Sequence, residues 1–355
     1  MEMRMFYSTL SLRTALISGL LLLCFLTTSL PAALPNDVDG DCDVDGADLH
    51  RFIADSGYGT ATQLSVFAGA FGTLDADCGR IGTGTPVDGY PDWHERTLMV
   101  FTNLARMAPA GYRDTFMSGF AMPPEGILNE GFPAVPPLYS AHGLNRSARA
   151  HALDMALNCQ RLQHDSCDGT PWYVRIRSFD PAAGAIGENV AYTSNVGTPM
   201  PWYIVSLFLC DAVNGVCATD DQPFHVIGHR ENIMSAGFTE IGCGYAEGSS
   251  ASWVQDFNGV DLPAQPPVAA ASHANVEAGT TTFYLNYWDE TGAPPEEIQL
   301  MLDHAPHPMH LGWGDPGAGT YRISLAEADG CRSYYFHVTD AAGHRYRYPG
   351  SGSFH

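Results

Sequence analysis

Residues 225–257 read H-V-I-G-H-R-E-N-I-M-S-A-G-F-T-E-I-G-C-G-Y-A-E-G-S-S-A-S-W-V-Q-D-F, and their patterning decides the fold. Ile241, Cys243 and Tyr245 alternate with Gly242, Gly244 and Ala246. A second alternating run spans Trp253 to Phe257, and Gly248, Ser249 and Ser250 lie between the two. Period two on both sides of a small-residue turn predicts a β-hairpin. Ahead of it, His229, Arg230, Asn232 and Met234 fall in a short run whose Gly228 suits a backbone turn. A histidine-bearing segment is thus expected against the edge of a small sheet.

Working outward, residues 92–259 show helical spacing. Trp93, Thr97, Phe101, Leu104 and Ala108 share one face, and Pro109 stops that helix. Leu144 to Leu162 predicts a second helix and Pro201 to Cys210 a third, strongly apolar one. The motifs Gln163-His164-Asp165-Ser166, Gly187-Glu188-Asn189 and G-H-R-x-N-I-M at 228–234 follow in order, then I-G-C-G-Y and W-V-Q-D-F. Together with Asn103-x-x-Arg106 on the first helix, they resemble a bacterial CAP (SCP-like) domain, the family of cysteine-rich secretory proteins, antigen 5 and pathogenesis-related 1. The resemblance implies an α+β class with a CAP-type α-β-α sandwich.

It also implies a site. His164, Glu188 and His229 would line one cleft and hold a zinc-like divalent cation, with a position left for water. Glu188 would either orient an imidazole or hold that water. Asn189 and Arg230 would brace the cleft, and Arg230 could pair with Glu188. Many relatives carry a second Glu after a Trp-Tyr pair. Here Val205 follows Trp202-Tyr203-Ile204, so Asp211 or His225 would have to stand in. For each of these residues the plain alternative is a hydrogen bond that only holds a loop. His225 reads as an exposed loop residue.

The flanks read differently. Residues 1–33 have the form of a signal peptide: Arg4 and Arg13, an apolar run from Ala15 to Leu26, then Ala32 and Ala33. That run is too short for a confident membrane span, and no later segment approaches spanning length. The expected location is therefore secreted or extracellular, with attachment to a cell surface possible through the other modules. Net charge is −22, and all 17 basic residues are Arg. The lack of Lys excludes Schiff-base chemistry, and the acidity argues against nucleic acid and anionic membranes. Of nine cysteines, Cys24 leaves with the signal peptide, and the even number of eight that remains in an exported chain favours disulfides. Locality suggests Cys42–Cys78, Cys159–Cys167 and Cys210–Cys217, with Cys243 and Cys331 left unassigned.

Residues 34–79 form a module of their own. Asp37, Asp39, Asp41, Asp43, Asp45 and Asp48 occupy positions 1, 3, 5, 7, 9 and 12 of a calcium-type loop. A carboxylate cluster of this density repels itself unless a cation fills it. The loop resembles half of a dockerin repeat, or an EF-hand-like calcium loop, which implies a cohesin-like partner. Cys42 stands where that loop has Gly, and no second loop follows. Residues 80–91 and 260–272 read as linkers. Between them lies the 92–259 domain, and 273–355 is expected as a β-sandwich, Ig-like by resemblance, with alternating strands at 280–288, 319–325 and 333–338. His304, His307 and His310 read as an exposed turn, because Pro306 and Pro308 prevent a helix.

The function these readings imply is extracellular ligand or metal binding in the His/Glu cleft. One alternative is an extracellular hydrolase acting on peptide or envelope material, with Glu188 and His229 catalytic and either Ser166 or a metal-bound water as the nucleophile. The other is a structural surface tether.

Overall fold

The computed structural model describes residues 52, 65, 90–193, 200–303, 305–327, 330, 332–350 and 352–355. The signal peptide, the Asp37–Asp48 loop, the Cys42–Cys78 pair, His304 and Cys331 lie outside the described residues.

The first helix, α1 (Trp93–Met107), begins with a capping box. Asp92 accepts from the Glu95 backbone, and the Glu95 side chain accepts from the Asp92 backbone. This satisfies N–H groups that a helix start leaves open. Pro109 ends α1 and also opens α2 (Pro109–Phe116), where its missing N–H costs nothing. A short strand β1 (Tyr139–Ser140) leads into α3 (His142–Leu153), which continues as a π-helical turn, Asp154–Cys159. Gln160 takes a left-handed conformation, so the helix expected to reach Leu162 stops earlier. Then come α4 (Trp172–Phe179), β2 (Ala185–Thr193), α5 (Pro201–Cys210) and α6 (Phe224–Met234). The predicted hairpin is present as β3 (Glu240–Glu247) and β4 (Ala251–Gly259).

These strands make one sheet in the order β1-β3-β4-β2, which leaves β2 at an edge. Helices cover both faces. On one face the glycines of β3 are required: a Cβ on Gly242 or Gly244 would sit 2.1 or 2.2 Å from the backbone of α3. On the other face Gln255 donates to Thr102 of α1 at 2.7 Å. Arg106, fully buried on α1, donates to the carbonyls of Ile233 and Ser235 at the end of α6, at 2.5 and 2.9 Å. A cation there complements the helix dipole. Asn103 exchanges two hydrogen bonds with the Leu138 backbone.

The C-terminal part holds β5 (Val268–Ala274), β6 (Thr280–Trp288), β7 (Glu297–Leu302), β8 (Ala305–Pro308), β9 (His310–Asp315), β10 (Ala318–Ala326), β11 (Tyr334–Thr339) and β12 (Arg345–Tyr348). They form two four-stranded sheets, β5-β6-β10-β9 and β12-β11-β7-β8. Leu285 and Tyr287 from one and Leu300 and Phe336 from the other share a buried core. The stretch read as a linker to 272 is already strand from Val268. Its residues pack on α1: Trp93 donates to the His273 carbonyl at 2.8 Å, and the Thr97 and Ser272 hydroxyls meet at 2.8 Å. Ala270, Ala274 and Tyr284 belong to the same core as Phe101 and Leu104. The alternating pattern marked the strands, but it carried no sign that one of them would cover a helix.

Candidate functional site

A cavity of about 490 Å³ opens beside the free edge of β2. Four segments supply its polar groups, one of them the end of α5 with Asp211. The loop before α4 brings His164, β2 brings Glu188, and α6 brings His225, His229 and Asn232. Trp172, Ile186, Phe224 and Val226 add apolar walls. Gly187 allows the close approach of α6, since a Cβ there would lie 3.0 Å from the Asn232 amide oxygen and 2.9 Å from the Phe238 ring. The segment read as a turn at Gly228 is helical, with its irregularity at Ile227 (φ −114°, ψ 30°). His225 is therefore on a helix, one turn before His229, and both line the cavity.

Two of the three cleft imidazoles are tied to a carboxylate through Nδ1. His164 Nδ1 lies 2.7 Å from Glu188 Oε1, and His229 Nδ1 lies 2.6 Å from Asp211 Oδ1. No hydrogen bond engages the Nε2 of either ring among the described residues. Asp211 was read only as a possible stand-in for a missing Glu. It caps α5 in a left-handed conformation (φ 43°, ψ 55°), which a short polar side chain tolerates. Its other oxygen accepts from the Arg230 backbone N–H at 3.0 Å. The Cys210–Cys217 disulfide closes the loop that follows, as locality suggested, and Cys159–Cys167 closes the loop that carries His164. Cys243 is a buried free thiol.

Arg230 departs from its expected place. It is fully buried, donates to Asp220 at 2.8 Å and to the carbonyls of Leu209, Cys210 and Ala218, and does not line the cleft. Successive helical residues point about 100° apart, so a neighbour of His229 in sequence faces elsewhere. The cation on Glu188 is Arg175 of α4. Its Nη2 donates to Glu188 Oε2, and its Nη1 donates to the His164 carbonyl at 3.0 Å and to Ser166 Oγ at 3.2 Å. Asn189, behind the cleft, donates to the His229 carbonyl at 3.2 Å and accepts from Asn232 at 2.9 Å.

Burial raises Glu188 to about 8, against the opposing pull of Arg175. Burial, then Arg175, lowers His164. Both oxygens of Glu188 are taken, so it stands behind His164 rather than beside it as an open ligand. Zinc sites take three or four protein ligands, and among the described residues no group of three His, Cys, Asp or Glu side chains is placed to hold a metal ion. The set His164, Glu188 and His229 does not fit zinc as a shared centre. Ser166 lines a separate cavity of about 600 Å³ with Leu153, Leu157 and Phe179, so it does not face the two imidazoles as a nucleophile.

Residues 134–257 match the family model described as CAP, the cysteine-rich secretory protein family. A Bacillus subtilis (strain 168) protein, "Uncharacterized protein YkwD", is 32% identical over 124 residues. The match covers 35% of this chain and 40% of that protein, so the chain spans two fifths of that relative's length. Among solved structures, an extracellular protein containing a SCP domain from Bacillus anthracis str. Ames is 19% identical, with a TM-score of 0.27, over 35% of this chain and 34% of that one. Schistosoma mansoni venom allergen-like protein 4 is 17% identical, with a TM-score of 0.27, over 49% of this chain and 96% of its own. No helix among the described residues is long and apolar enough to cross a membrane. Both imidazole–carboxylate pairs fall inside the matched residues, so the candidate site belongs to the segment, residues 134–257, that matches a CAP domain.

Proposed function

We propose that this is an exported CAP-domain protein whose cleft binds an extracellular ligand by hydrogen bonds at the Nε2 of His164 and of His229. The observation that carries this reading is the pair of oriented imidazoles. Each has Nδ1 held by a carboxylate, and both line one cavity. A ring fixed in this way presents Nε2 without paying for its orientation at the moment of binding. Apolar walls with a few convergent polar groups are the usual make-up of a ligand site. Trp172, Ile186, Phe224 and Val226 suit an apolar portion of that ligand. Two disulfides fit an oxidising compartment. Calcium at Asp37–Asp48 and an Ig-like role for the C-terminal sheets belong to the same proposal, as the means of fixing the cleft to a surface or partner. Hydrolysis finds less support, because no described cleft-lining residue carries a hydroxyl or thiol.

The test is side-chain NMR of His164 and His229 against a library of small aromatic and acylated amino-acid fragments. Binding fragments are expected to shift both rings, and His229→Ala is expected to abolish binding while the fold persists. Fragments that shift neither ring, or that bind His229→Ala unchanged, overturn the reading. Saturable one-to-one zinc binding that His229→Ala abolishes would replace it with a metal site.

A further inference from the structure

Glu188 has a second buried neighbour that neither the sequence motifs nor the cleft accounts for. Asp256 on β4 stands directly opposite Glu188 on β2 in the antiparallel ladder. Side chains at such paired positions point to the same face, and here that face carries α3. Asp256 is fully buried, and neither carboxyl oxygen has a hydrogen-bond partner of ordinary geometry. Ser147 Oγ and His151 Nδ1 on α3, and Arg175 Nε on α4, are likewise buried without partners.

Two carboxyls are therefore enclosed with one guanidinium. The charged and titratable groups that interact with them are Arg175, His164 and Asp165, and Cys243 feels Asp256; His151 meets Arg175 and His164, and Asp154 meets His151. Arg175 is the single permanent cation in that set, and burial lowers both imidazoles. Ionising both acids would leave a negative charge out of water without a counterion, and buried sites avoid this by retaining a proton. Burial and the neighbouring Glu188 push Asp256 well above the usual carboxyl range.

We propose that Glu188 and Asp256 share one proton across the β2–β4 ladder, with Arg175 balancing the remaining charge, so that Asp256 is a positioning residue acting on His164 through Glu188. With the proton on Asp256, Glu188 is a carboxylate, His164 Nδ1–H donates to it, and Nε2 faces the cleft as an acceptor. With the proton on Glu188 Oε1, Nδ1 accepts it, and the ring proton, exchanged through cleft water, sits on Nε2 as a donor. The proton count is the same in both states. This deepens the cleft reading: His164 can meet either an acceptor or a donor on the ligand. His229 differs, since its partner Asp211 is held by a backbone N–H.

Two measurements test the pair, and neither needs a ligand, so they can fail or succeed independently of cleft binding. The first is infrared spectroscopy of the full chain at neutral pH. A carboxylic-acid C=O stretch that moves on carbon-13 labelling of aspartate and glutamate carboxyls is expected, and its absence overturns the proposal. The second is the NMR titration of the His164 ring in Asp256→Asn. Removing the shared proton leaves Glu188 fully charged, so the His164 midpoint is expected to rise by roughly one pH unit. If Asp256 simply carried a charge, the midpoint would fall. If it were a fixed neutral spacer, the midpoint would stay. Either result overturns the proposal. The infrared measurement on the unaltered chain stands even if Asp256→Asn does not fold.

Discussion

His164 and His229 each give one ring nitrogen to a carboxylate at nearly the same distance, 2.7 and 2.6 Å, yet the two carboxylates live differently. Glu188 lies beneath a helix, held by a guanidinium and facing a second acid. Asp211 sits at a helix end and accepts from a backbone N–H. The comparison teaches that the bond to histidine does not set the carboxylate's chemistry. What touches its far side does.

The strongest way to break the comparison is Arg175→Met. It strips Glu188 and Asp256 of their cation and leaves the His164 carbonyl and Ser166 without a donor. A loss of about 3–5 kcal/mol is expected in urea unfolding, the range for removing one member of a buried ion pair. On the other side, Asp211→Asn keeps a side chain that tolerates the left-handed backbone but loses the charge. A smaller loss of about 1–2 kcal/mol is expected, with the His229 ring resonances displaced and those of His164 unchanged.

The finest distinction is in pH. Glu188 binds its proton up to about 8 in the folded chain, against an ordinary 4.5. Between those values the folded state holds more proton than the unfolded state, so the contribution of Glu188 is full below the window and falls as pH rises through it. Stability of the unaltered chain relative to Glu188→Gln should therefore decline from pH 5 to pH 8 in urea titrations. A flat difference would mean that Glu188 is ionised throughout.

Much of this was readable in the residues, for physical reasons. The β3–β4 hairpin announces itself because strict alternation brackets a run of small residues, and α5 does so because Pro201 opens a dense apolar stretch. The glycines at 242 and 244 were visible, but the helix they admit was not, since close approach is a property of two elements. Arg175 shares the sequence W-Y-V-R-I-R-S-F with Arg177, and no local feature separates the inward arginine from the outward one. Asp211 gave only a faint sign, an acid at the end of an apolar helix. Asp256 gave a clearer one: an acid inside the alternating run from Trp253 to Phe257. Arg230 was misplaced because adjacency along a helix is not adjacency in space.

Helix α1 carries a consequence for how the chain is made. Its first turn bonds to strand β5, with Trp93 reaching a carbonyl 180 positions later. During synthesis, that flank stays bare until residues 268–274 have emerged. A product cut after residue 259 would keep every cleft residue and still expose Phe101 and its neighbours to water. Such a fragment should be sticky and short-lived, so the trailing sheets guard the protein's beginning as much as they extend its end.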